Sequence, residues 1–414
     1  MNLVYGVLGV AGFLAIAIAF SNNRKAINWK LVGMGLLLQV ALAKIVLSEW
    51  VQANLFNPIN SFVNTLLGFS QQGATFVIKS FVSNQVEPAM INFAFWVLPT
   101  VVFFSSIMTL LYHFGLMQPV IRFIAKIMQK TMGTSGSEST SCSANIFVGQ
   151  TEAPLLVKPF ISKMTKSELH AVMVGGFGTV AGGVLALYVA TLKDVLPGIA
   201  GHLVTASVMA APGALVMSKI LYPETEESMT MGDVKMDVEK VDNNFIEAAA
   251  RGASEGMQLL INIVAMLIAF VSIVAMLDQL TLYISTFLGY EKSFTDLLGY
   301  MFMPFAFLMG VPAAECGVVG QLLGKKIVLT ELLAYADMGG MIARNELSAR
   351  SAIICSYALC GFANFASIGI QIGGIGGIAP ERRGEIASMG FSAMFGGMLV
   401  TCITGTIAGM FLAS

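Results

Sequence analysis

Three consecutive side chains of types that can bind polar solutes lie between apolar runs in the stretch NIFVGQTEAPLLVKP, residues 145–159. Gln150, Thr151 and Glu152 offer an amide, a hydroxyl and a carboxylate at consecutive positions. These groups form hydrogen bonds to a solute and are not an activated nucleophile by themselves. The alternative for Glu152 is that its carboxylate only compensates the dipole of a helix that begins near Pro154. The grouping favours a binding site for a polar substrate.

A second group of polar side chains lies in the C-terminal half of the chain. Glu331 follows an apolar run, and Asn364 and Ser367 are three positions apart, which places them on the same side of a helix. The alternative for Glu331 is snorkelling from a half-helix end to the membrane surface. The alternative for Asn364 and Ser367 is that they only satisfy a broken backbone. We predict that all three bind the same substrate as the first group.

The composition of the chain indicates the class of protein that positions these polar groups. The chain has 414 residues, of which 56% are hydrophobic and 11% charged, and its mean hydropathy is +0.78. A soluble domain is roughly 45–50% apolar and about 25% charged. The sequence therefore predicts an all-α integral membrane protein, as one polytopic domain over residues 1–414. The net charge of -1 argues against a nucleic-acid partner.

Metal and covalent chemistry are not indicated by the sequence. It has no HExxH or GxSxG motif. The cysteines and histidines have no metal-like spacing, so we interpret them as structural. They are Cys142, Cys316, Cys355, Cys360, Cys402, His113, His170 and His202.

Apolar windows of about 20 residues predict eight membrane-spanning helices. They lie near residues 3–20, 31–49, 90–113, 168–191, 202–221, 254–278, 350–372 and 388–411. The first window lacks a basic segment before it and a small-residue cleavage site after it, so we expect a retained helix and not a signal peptide. The mixed polar and apolar stretches FNPINSFVNTLLGFSQQGATFVIKSFV and QPVIRFIAKIMQKTM predict interfacial helices.

Two further segments have the length of a crossing but are too polar for one. The first, SGSESTSCSANIFVGQTEAPLLVKPF, opens with serine, threonine and glutamate; the second, MFMPFAFLMGVPAAECGVVGQLLGKKIVLTELLAY, is interrupted at GVP. Each predicts a re-entrant hairpin of two half-helices of about 10 residues, which reach only to the midplane. We expect the first tip at residues 148–150. Each hairpin precedes a glycine-broken helix, and paired interruptions of this kind are typical of the central site of a transporter.

Charged residues outside the apolar windows predict the topology. Residues 222–250 are rich in carboxylates and predict a flexible cytoplasmic loop. Most basic residues near helix ends would be cytoplasmic if both termini lay outside. They are Arg24, Lys25, Lys30, Lys126, Lys130, Lys158, Lys163, Lys166, Arg382 and Arg383, whereas Lys325, Lys326, Arg344 and Arg350 favour the opposite orientation.

The motifs NIFVGQTEAP at 145–154, GVP at 310–312 and GFANFASIG at 361–369 closely resemble the bacterial form of the concentrative nucleoside transporter family. The resemblance covers nearly the whole chain, from RKAIN after the first helix to ERRGEIA before the last. It implies a homotrimer in a bacterial cytoplasmic membrane, with an inverted-repeat transport core that moves like an elevator and imports a nucleoside with sodium. The implied scaffold covers about 1–50, 88–113 and 254–278, and the implied transport part covers about 135–191 and 295–372.

The resemblance also implies roles for individual residues. Gln150, Thr151 and Glu152 would face the nucleobase, while Glu331, Asn364 and Ser367 would hold the ribose. Val184 and Phe362 would pack beside the ligand. The implied sodium ligands are Asn145, Val148, Thr179 and Val180, chiefly through backbone carbonyl oxygens, and sodium is the implied coupling ion with no other cofactor.

The second hairpin departs from the family pattern at four positions. Thr330 stands where asparagine is usual, and Leu332 where phenylalanine is usual; Ala313 and Ala314 stand where relatives often have bulkier or polar residues. These departures leave the preference for pyrimidine or purine nucleosides open. Proton coupling is the near alternative, although Asn145 favours sodium. An intramembrane enzyme and a channel are remote alternatives, because no nucleophile and base pair is apparent and paired hairpins favour an occluded site.

Overall fold

A computed structural model describes residues 2–80, 83–232 and 242–412, and the regular structure of these residues is helical. Short helical turns of 3₁₀ or π type lie between some of the helices. The α-helices are α1 (Asn2–Ala19), α2 (Trp29–Val46), α3 (Glu49–Val51), α4 (Asn57–Ile78), α5 (Pro99–His113), α6 (Met117–Met132), α7 (Gly136–Ala144), α8 (Lys158–Ile161), α9 (Lys166–Gly178), α10 (Gly182–Leu192), α11 (Ile199–Leu221), α12 (Phe245–Phe287), α13 (Phe294–Leu308), α14 (Cys316–Val328), α15 (Glu331–Ala343), α16 (Ala349–Leu359), α17 (Phe365–Ile378) and α18 (Arg383–Phe411).

Several of these helices are long and apolar enough to cross a membrane. In the described part of the chain, six helical segments meet both conditions. They are Trp29–Val46, Ala94–His113, Lys166–Leu192, Ile199–Leu221, Phe245–Phe287 and Pro380–Phe411. The apolar helices Leu3–Ala19 and Phe294–Leu308 are shorter. The prediction of an all-α membrane protein is confirmed. The predicted spans 3–20 and 350–372 are not among the six segments, and the predicted span 168–191 lies in a segment that is interrupted between α9 and α10.

The longest helix, α12, extends well beyond the predicted span 254–278. Its 43 residues measure about 65 Å at 1.5 Å per residue, more than twice a hydrocarbon core of about 30 Å. Arg251 bonds Asp242 at 2.8 Å and Glu255 at 2.8 Å near its beginning. The sequence window missed this first part because charged residues lower the mean hydropathy without interrupting the helix.

The first and last long helices run antiparallel. Phe20 and Phe395 have ring centroids 5.0 Å apart at one end. At the other end, α1 approaches α18 so closely that a Cβ atom at Gly6 would lie 2.3 Å from the side chain of Met410. Both ends of the described chain therefore lie on the same side of the molecule.

Two interrupted helices cross at their breaks. The first consists of α9 and α10, separated at 179–181, and the second of α16 and α17, separated at 360–364. The Phe362 amide donates to the Thr179 carbonyl at 3.2 Å. A Cβ atom at Gly361 would lie 2.8 Å from the carbonyl oxygen of Phe177, so only glycine permits this approach. The backbone groups freed by the two breaks thus lie beside each other.

The two polar segments differ in structure. In the first, α7 ends at Ala144 and an irregular stretch, the tip, follows over 145–152. The re-entrant hairpin itself stays a prediction. The second was predicted to have one interruption, at GVP, but it has two. Gly310, with φ of +82°, allows the turn between α13 and α14. A second break at Leu329 and Thr330 separates α14 from α15. Because neither residue is glycine or proline, the residue types do not predict this break.

The predicted interfacial stretches form α4 and α6, and α6 is clearly amphipathic. The buried residues of α6 recur at helical spacing, which is what the pattern predicts. They are Met117, Ile121, Ala125, Met128 and Met132.

Part of the predicted flexible loop 222–250 is in fact docked. The Ser167 hydroxyl donates to the Tyr222 carbonyl at 2.6 Å, and the Gly136 amide donates to the Thr230 carbonyl at 3.0 Å. The expectation of a flexible loop is therefore wrong for 222–232. The Glu224 carboxylate also accepts from the Thr165 hydroxyl at 2.8 Å. Counting carboxylates missed this docking, because these partners lie far away in the chain. The stretch 233–241 lies outside the described residues.

A buried ion pair fixes the same region. Lys219 of α11 lies 2.8 Å from Glu138 of α7, and both side chains are almost fully buried. Lys219 also donates to Ser167 at 2.9 Å and lies 3.4 Å from Glu224. This cation therefore joins two helices to the docked loop.

Replacing Lys219 with methionine will lower the free energy of unfolding by about 3–5 kcal/mol, because Glu138 loses its buried partner. Thermal denaturation in detergent measures the change. The matched control is Lys325→Met, which removes a half-exposed lysine paired with Asp337 and should cost at most about 1 kcal/mol. Equal losses in both variants would show that the buried pair has no special structural role.

Candidate functional site

Glu331 lies at the first position of α15, with 5% of its surface exposed. Its Oε1 accepts a hydrogen bond from the Tyr188 hydroxyl at 2.8 Å, and its Oε2 accepts one from Asn364 Nδ2 at 2.9 Å. Both oxygens keep further lone pairs, and the helix N-terminus stabilises the carboxylate. The snorkelling alternative is wrong, because the side chain is buried and bonded inside the protein.

Asn364 has two roles in this arrangement. Its Oδ1 accepts a hydrogen bond from the Ser367 amide at 2.9 Å and so caps α17, while its Nδ2 holds Glu331. Capping is the role that the alternative assigned to it, and holding Glu331 is a second one. Ser367 is buried beside this cap, and Phe362 is half-buried at the preceding break.

Val184 approaches the same place from α10. Val184 and Tyr188 are four positions apart on this helix, so they lie on one face. Tyr188 packs against Tyr335 with ring centroids 4.4 Å apart and donates to Glu331. An apolar wall and a hydroxyl donor therefore adjoin the carboxylate.

The first polar segment places its three polar residues in different surroundings. Gln150 is buried, Thr151 is half-buried and Glu152 is exposed. The Thr151 hydroxyl donates to Glu152 Oε1 at 3.3 Å. The Glu152 carboxylate folds back over Gly149, where a Cβ atom would lie 2.3 Å from Oε2. Glu152 stands directly before the short helical turn Ala153–Val157 and makes no side-chain capping bond among the described residues. Compensation of a helix dipole and substrate binding both stay predictions for this carboxylate.

Asn145 follows α7 and is completely buried. Neither its Oδ1 nor its Nδ2 has a hydrogen-bond partner among the described residues, which is costly for a buried amide. A Cβ atom at Gly175 would lie 3.2 Å from Asn145 Nδ2, and the same Gly175 accepts the Thr179 hydroxyl at 2.8 Å through its carbonyl. The structure therefore places Asn145 and Thr179 around one turn of α9.

The remaining two predicted cation ligands flank this place. Val180 is buried in the break after α9, and Val148 is half-buried in the tip. The Gly182 amide donates to the Phe147 carbonyl at 3.0 Å. This bond ties the tip to the break, so the segments that carry Val148 and Val180 are adjacent.

The four departures from the family pattern fall in two places. Ala313 and Ala314 are exposed in the turn between α13 and α14. Thr330 and Leu332 flank Glu331 directly, and the buried Thr330 hydroxyl has no partner among the described residues. Only the second pair therefore adjoins the carboxylate.

Comparison with known protein families decides the identity of the chain. Residues 202–409 match the C-terminal model of the Na⁺ dependent nucleoside transporters, and residues 8–81 match the N-terminal model. Residues 94–194, between them, match a nucleoside recognition (Gate) model. The chain belongs to the Na⁺ dependent nucleoside transporter family. The members of this family are transporters and not enzymes, which confirms the expectation that this chain is not an enzyme.

Relatives of this nucleoside transporter occur in bacteria and vertebrates. It is 41% identical to the uncharacterized transporter YutK of Bacillus subtilis, with full coverage of both chains. It is 39% identical to an uncharacterized transporter of Haemophilus influenzae, covering 100% of this chain and 98% of that one. Sodium/nucleoside cotransporter 1 of Mus musculus is 38% identical over 97% of this chain, which spans 63% of the mouse protein.

The fold of this nucleoside transporter matches solved structures of CNTnw. The inward-facing substrate-bound state of CNTnw superposes with a TM-score of 0.91 at 39% identity, covering 99% of this chain and 98% of that one. A substituted form in an intermediate state also has a TM-score of 0.91 at 39% identity, with full coverage of both chains. The similarity extends through every helix that forms the site.

Two residues of this nucleoside transporter's site were missed by sequence reasoning. Tyr188 and Gln371 each lie inside an apolar run, LALYVATL and IGIQIGGIGG, where a single polar residue resembles an ordinary helix position. The signal that was available is their depth, since a polar group in the middle of an apolar helix needs a partner. Gln371 is completely buried and bonds Gln150.

Removal of the Tyr188 hydroxyl will weaken nucleoside binding without unfolding the protein. In Tyr188→Phe, Glu331 loses one of its two donors, and we expect a loss of about 3- to 10-fold in uridine affinity. Isothermal titration calorimetry measures this. The control is Tyr335→Phe, whose hydroxyl bonds the Ser356 carbonyl and not Glu331. Unchanged uridine affinity in Tyr188→Phe, together with lowered uridine affinity in Tyr335→Phe, would contradict the role of Tyr188.

Proposed function

We propose that this protein imports nucleosides together with sodium. The observation that carries the proposal is the buried Glu331 carboxylate, held by Tyr188 and Asn364 where helix breaks meet. Ribose hydroxyls donate well to a carboxylate and accept from amide and hydroxyl groups. Glu331, Asn364 and Ser367 supply this mixture in one buried place, and the side chains are already oriented by hydrogen bonds.

The nucleobase would lie between the tip of the first polar segment and an apolar wall. Gln150, Thr151 and Glu152 supply hydrogen-bonding groups. Val184 and the flat ring of Phe362 supply apolar contact. Small-molecule pockets generally combine a mostly apolar lining with a few polar groups of this kind. The pattern suits a planar, polar-edged ring joined to a sugar.

Sodium would be held beside Asn145. The Asn145 Oδ1 is buried without a partner among the described residues, and the Thr179 hydroxyl lies around the same turn of α9. Backbone carbonyl groups of Val148 and Val180 complete an oxygen set of the type that hard cations prefer. Neutral ligands suit a monovalent ion that must be released inside the cell. Proton coupling, the second candidate, would leave the Asn145 amide without a function.

The transport cycle would be a movement of the site across the membrane. We assign about 1–50, 88–113 and 254–278 to a scaffold, and about 135–191 and 295–372 to a mobile transport part. Polar segments followed by broken helices recur in both halves of that transport part, and this supports an inverted repeat with two opposed re-entrant hairpins. The related CNTnw has been solved in inward-facing, outward-facing and intermediate states, and this supports an elevator-like movement. A homotrimer is part of the same proposal.

We place the protein in the bacterial cytoplasmic membrane with both termini outside. The two ends of the described chain lie on one side, and the basic segments around Arg24, Lys166 and Arg382 lie on the other, since Asn22 bonds Leu221, Ser167 bonds Tyr222, and Arg382 bonds the Ile161 carbonyl. Positive charge favours the cytoplasm. Of the four residues that favour the opposite orientation, Lys326 is fully buried against Ala358 and Thr401 and does not belong to a surface loop. Lys325, Arg344 and Arg350 still favour the opposite orientation.

Calorimetric binding of nucleosides to the purified protein tests the substrate assignment. We expect saturable uridine binding in sodium that weakens in choline, and no binding of free uracil. Removal of a ribose hydroxyl in 3′-deoxyuridine should cost about 100-fold in affinity, because it leaves buried partners unpaired. Equal affinities for uridine and 3′-deoxyuridine would contradict the ribose assignment, and absence of binding to both pyrimidine and purine nucleosides would contradict the function.

A further inference from the structure

The Gln371 side chain connects three elements at the proposed nucleobase site. Gln371 is completely buried in α17. Its Nε2 donates to the Met173 carbonyl of α9 at 3.0 Å and to Gln150 Oε1 in the tip at 3.0 Å. Its own Oε1 has no partner among the described residues. One amide nitrogen therefore serves two acceptors on two different segments.

The Met173 carbonyl fixes the polarity of this contact. A backbone carbonyl only accepts hydrogen bonds, so the Gln371 side chain must present its NH₂ group to it. The second hydrogen of that group then faces Gln150, which must accept it with its Oε1. The Gln150 Nε2 consequently points away from Gln371 as a donor without a partner in the described protein.

Glycine residues make the contact possible. A Cβ atom at Gly176 would lie 2.7 Å from Gln371 Nε2 and 2.8 Å from Gln150 Cβ, so any larger residue would separate the two amides. A Cβ atom at Gly374 would lie 2.8 Å from Thr151 Cγ2. Gln371 and Gly374 are three positions apart, so one face of α17 supports both Gln150 and Thr151.

We propose that Gln371 is a positioning residue that makes Gln150 a hydrogen-bond donor to the nucleobase. This inference rests on the proposed function and defines its substrate class. With its Oε1 turned toward Gln371, Gln150 presents its Nε2 as a donor and recognises an acceptor on the base, a ring carbonyl or an unprotonated ring nitrogen. Gln371 itself does not touch the substrate, and it acts by holding the amide of Gln150 in one of its two orientations.

The test compares two ligands by calorimetry. Uridine carries base acceptors, whereas the phenyl C-riboside keeps the sugar and a flat ring but has no acceptor. In Gln371→Met we expect uridine affinity to fall about 3- to 10-fold and phenyl C-riboside affinity to stay unchanged, so their ratio falls by the same factor. Gly176→Ala, which separates the two amides, should lower the ratio in the same direction.

The matched control is Gln39→Met. Gln39 is also completely buried, donates to a helix carbonyl, that of Met209, at 3.0 Å, and has an unpartnered Oε1. Its replacement should leave the ratio of the two affinities unchanged. A Gln371→Met protein that weakens both ligands equally, or neither, would overturn the positioning role. If the unmodified protein bound neither ligand and no other nucleoside, the proposed function itself would fail.

Discussion

Glu331→Gln will lower uridine affinity by about 100-fold or more. The carboxylate accepts from Tyr188 and Asn364, and hydrogen bonds from ribose hydroxyls to a charged acceptor contribute about 1.5–3 kcal/mol each. A glutamine keeps the shape of the side chain but replaces one acceptor oxygen with an NH₂ donor. This NH₂ group then faces a donor of the protein, and one hydrogen bond to the ribose is lost. Calorimetry with uridine in saturating sodium measures the loss.

The control for this variant is Asp337→Asn. Asp337 lies on the same helix, and its half-exposed carboxylate pairs with Lys325. The same chemical change there should leave uridine affinity within about twofold, as exposed ion pairs contribute little. Similar affinities in Glu331→Gln and the unmodified protein would remove Glu331 from the substrate site.

Asn145→Ala will raise the sodium concentration required for half-maximal uptake by about tenfold or more, equivalent to about 1.4 kcal/mol for one lost ligand. The amide of Asn145 is buried and its Oδ1 has no protein partner in the described chain. Truncation should therefore cost little in folding and mainly remove a cation ligand. Uridine affinity measured without sodium should not change.

Ser143→Ala, two positions earlier in the last turn of α7, provides the control. The Ser143 hydroxyl is buried and bonds the Ser139 carbonyl one turn away, so its removal should leave the sodium requirement unchanged. If Asn145→Ala weakened uridine binding equally with and without sodium, Asn145 would be a substrate or folding residue and not a sodium ligand.

The sequence predicted the parts of this molecule that depend on composition and on interrupted helices. Apolar length predicts where helices cross, and glycine with small polar residues predicts the breaks near Thr179 and Asn364. The sequence predicts that Glu331 and Asn364 bind one substrate. The structure brings the two side chains to 2.9 Å of each other, while substrate binding itself stays a prediction. These features depend on local chemistry, which a sequence records directly.

Features that depend on contacts between distant segments could not be predicted. The break at Leu329 and Thr330 has no glycine or proline. It precedes Glu331, whose partners Tyr188 and Asn364 lie on other segments. Gln371 bonds Gln150 across 221 positions. Docking of residues 222–232 likewise depends on Ser167 and Gly136, far away in the chain. The types of these residues alone do not predict which distant groups they contact.

The arrangement has a physical advantage for transport. The groups that we propose for substrate and cation lie at adjoining helix breaks, since the Phe362 amide bonds the Thr179 carbonyl. Binding of sodium beside Thr179 would therefore order the same backbone that positions Phe362 and Asn364 for the nucleoside. Ordering by one ligand lowers the cost for the other, and this gives positive coupling between their affinities.

Uptake of labelled uridine into proteoliposomes tests the central claim most directly. The purified protein is reconstituted, and uptake is followed under an inward gradient of sodium alone, of protons alone, or of neither. We predict accumulation of unmodified uridine above the external concentration with the sodium gradient only. Accumulation driven by protons alone would contradict sodium coupling, and equilibration without accumulation under every gradient would contradict a coupled transporter.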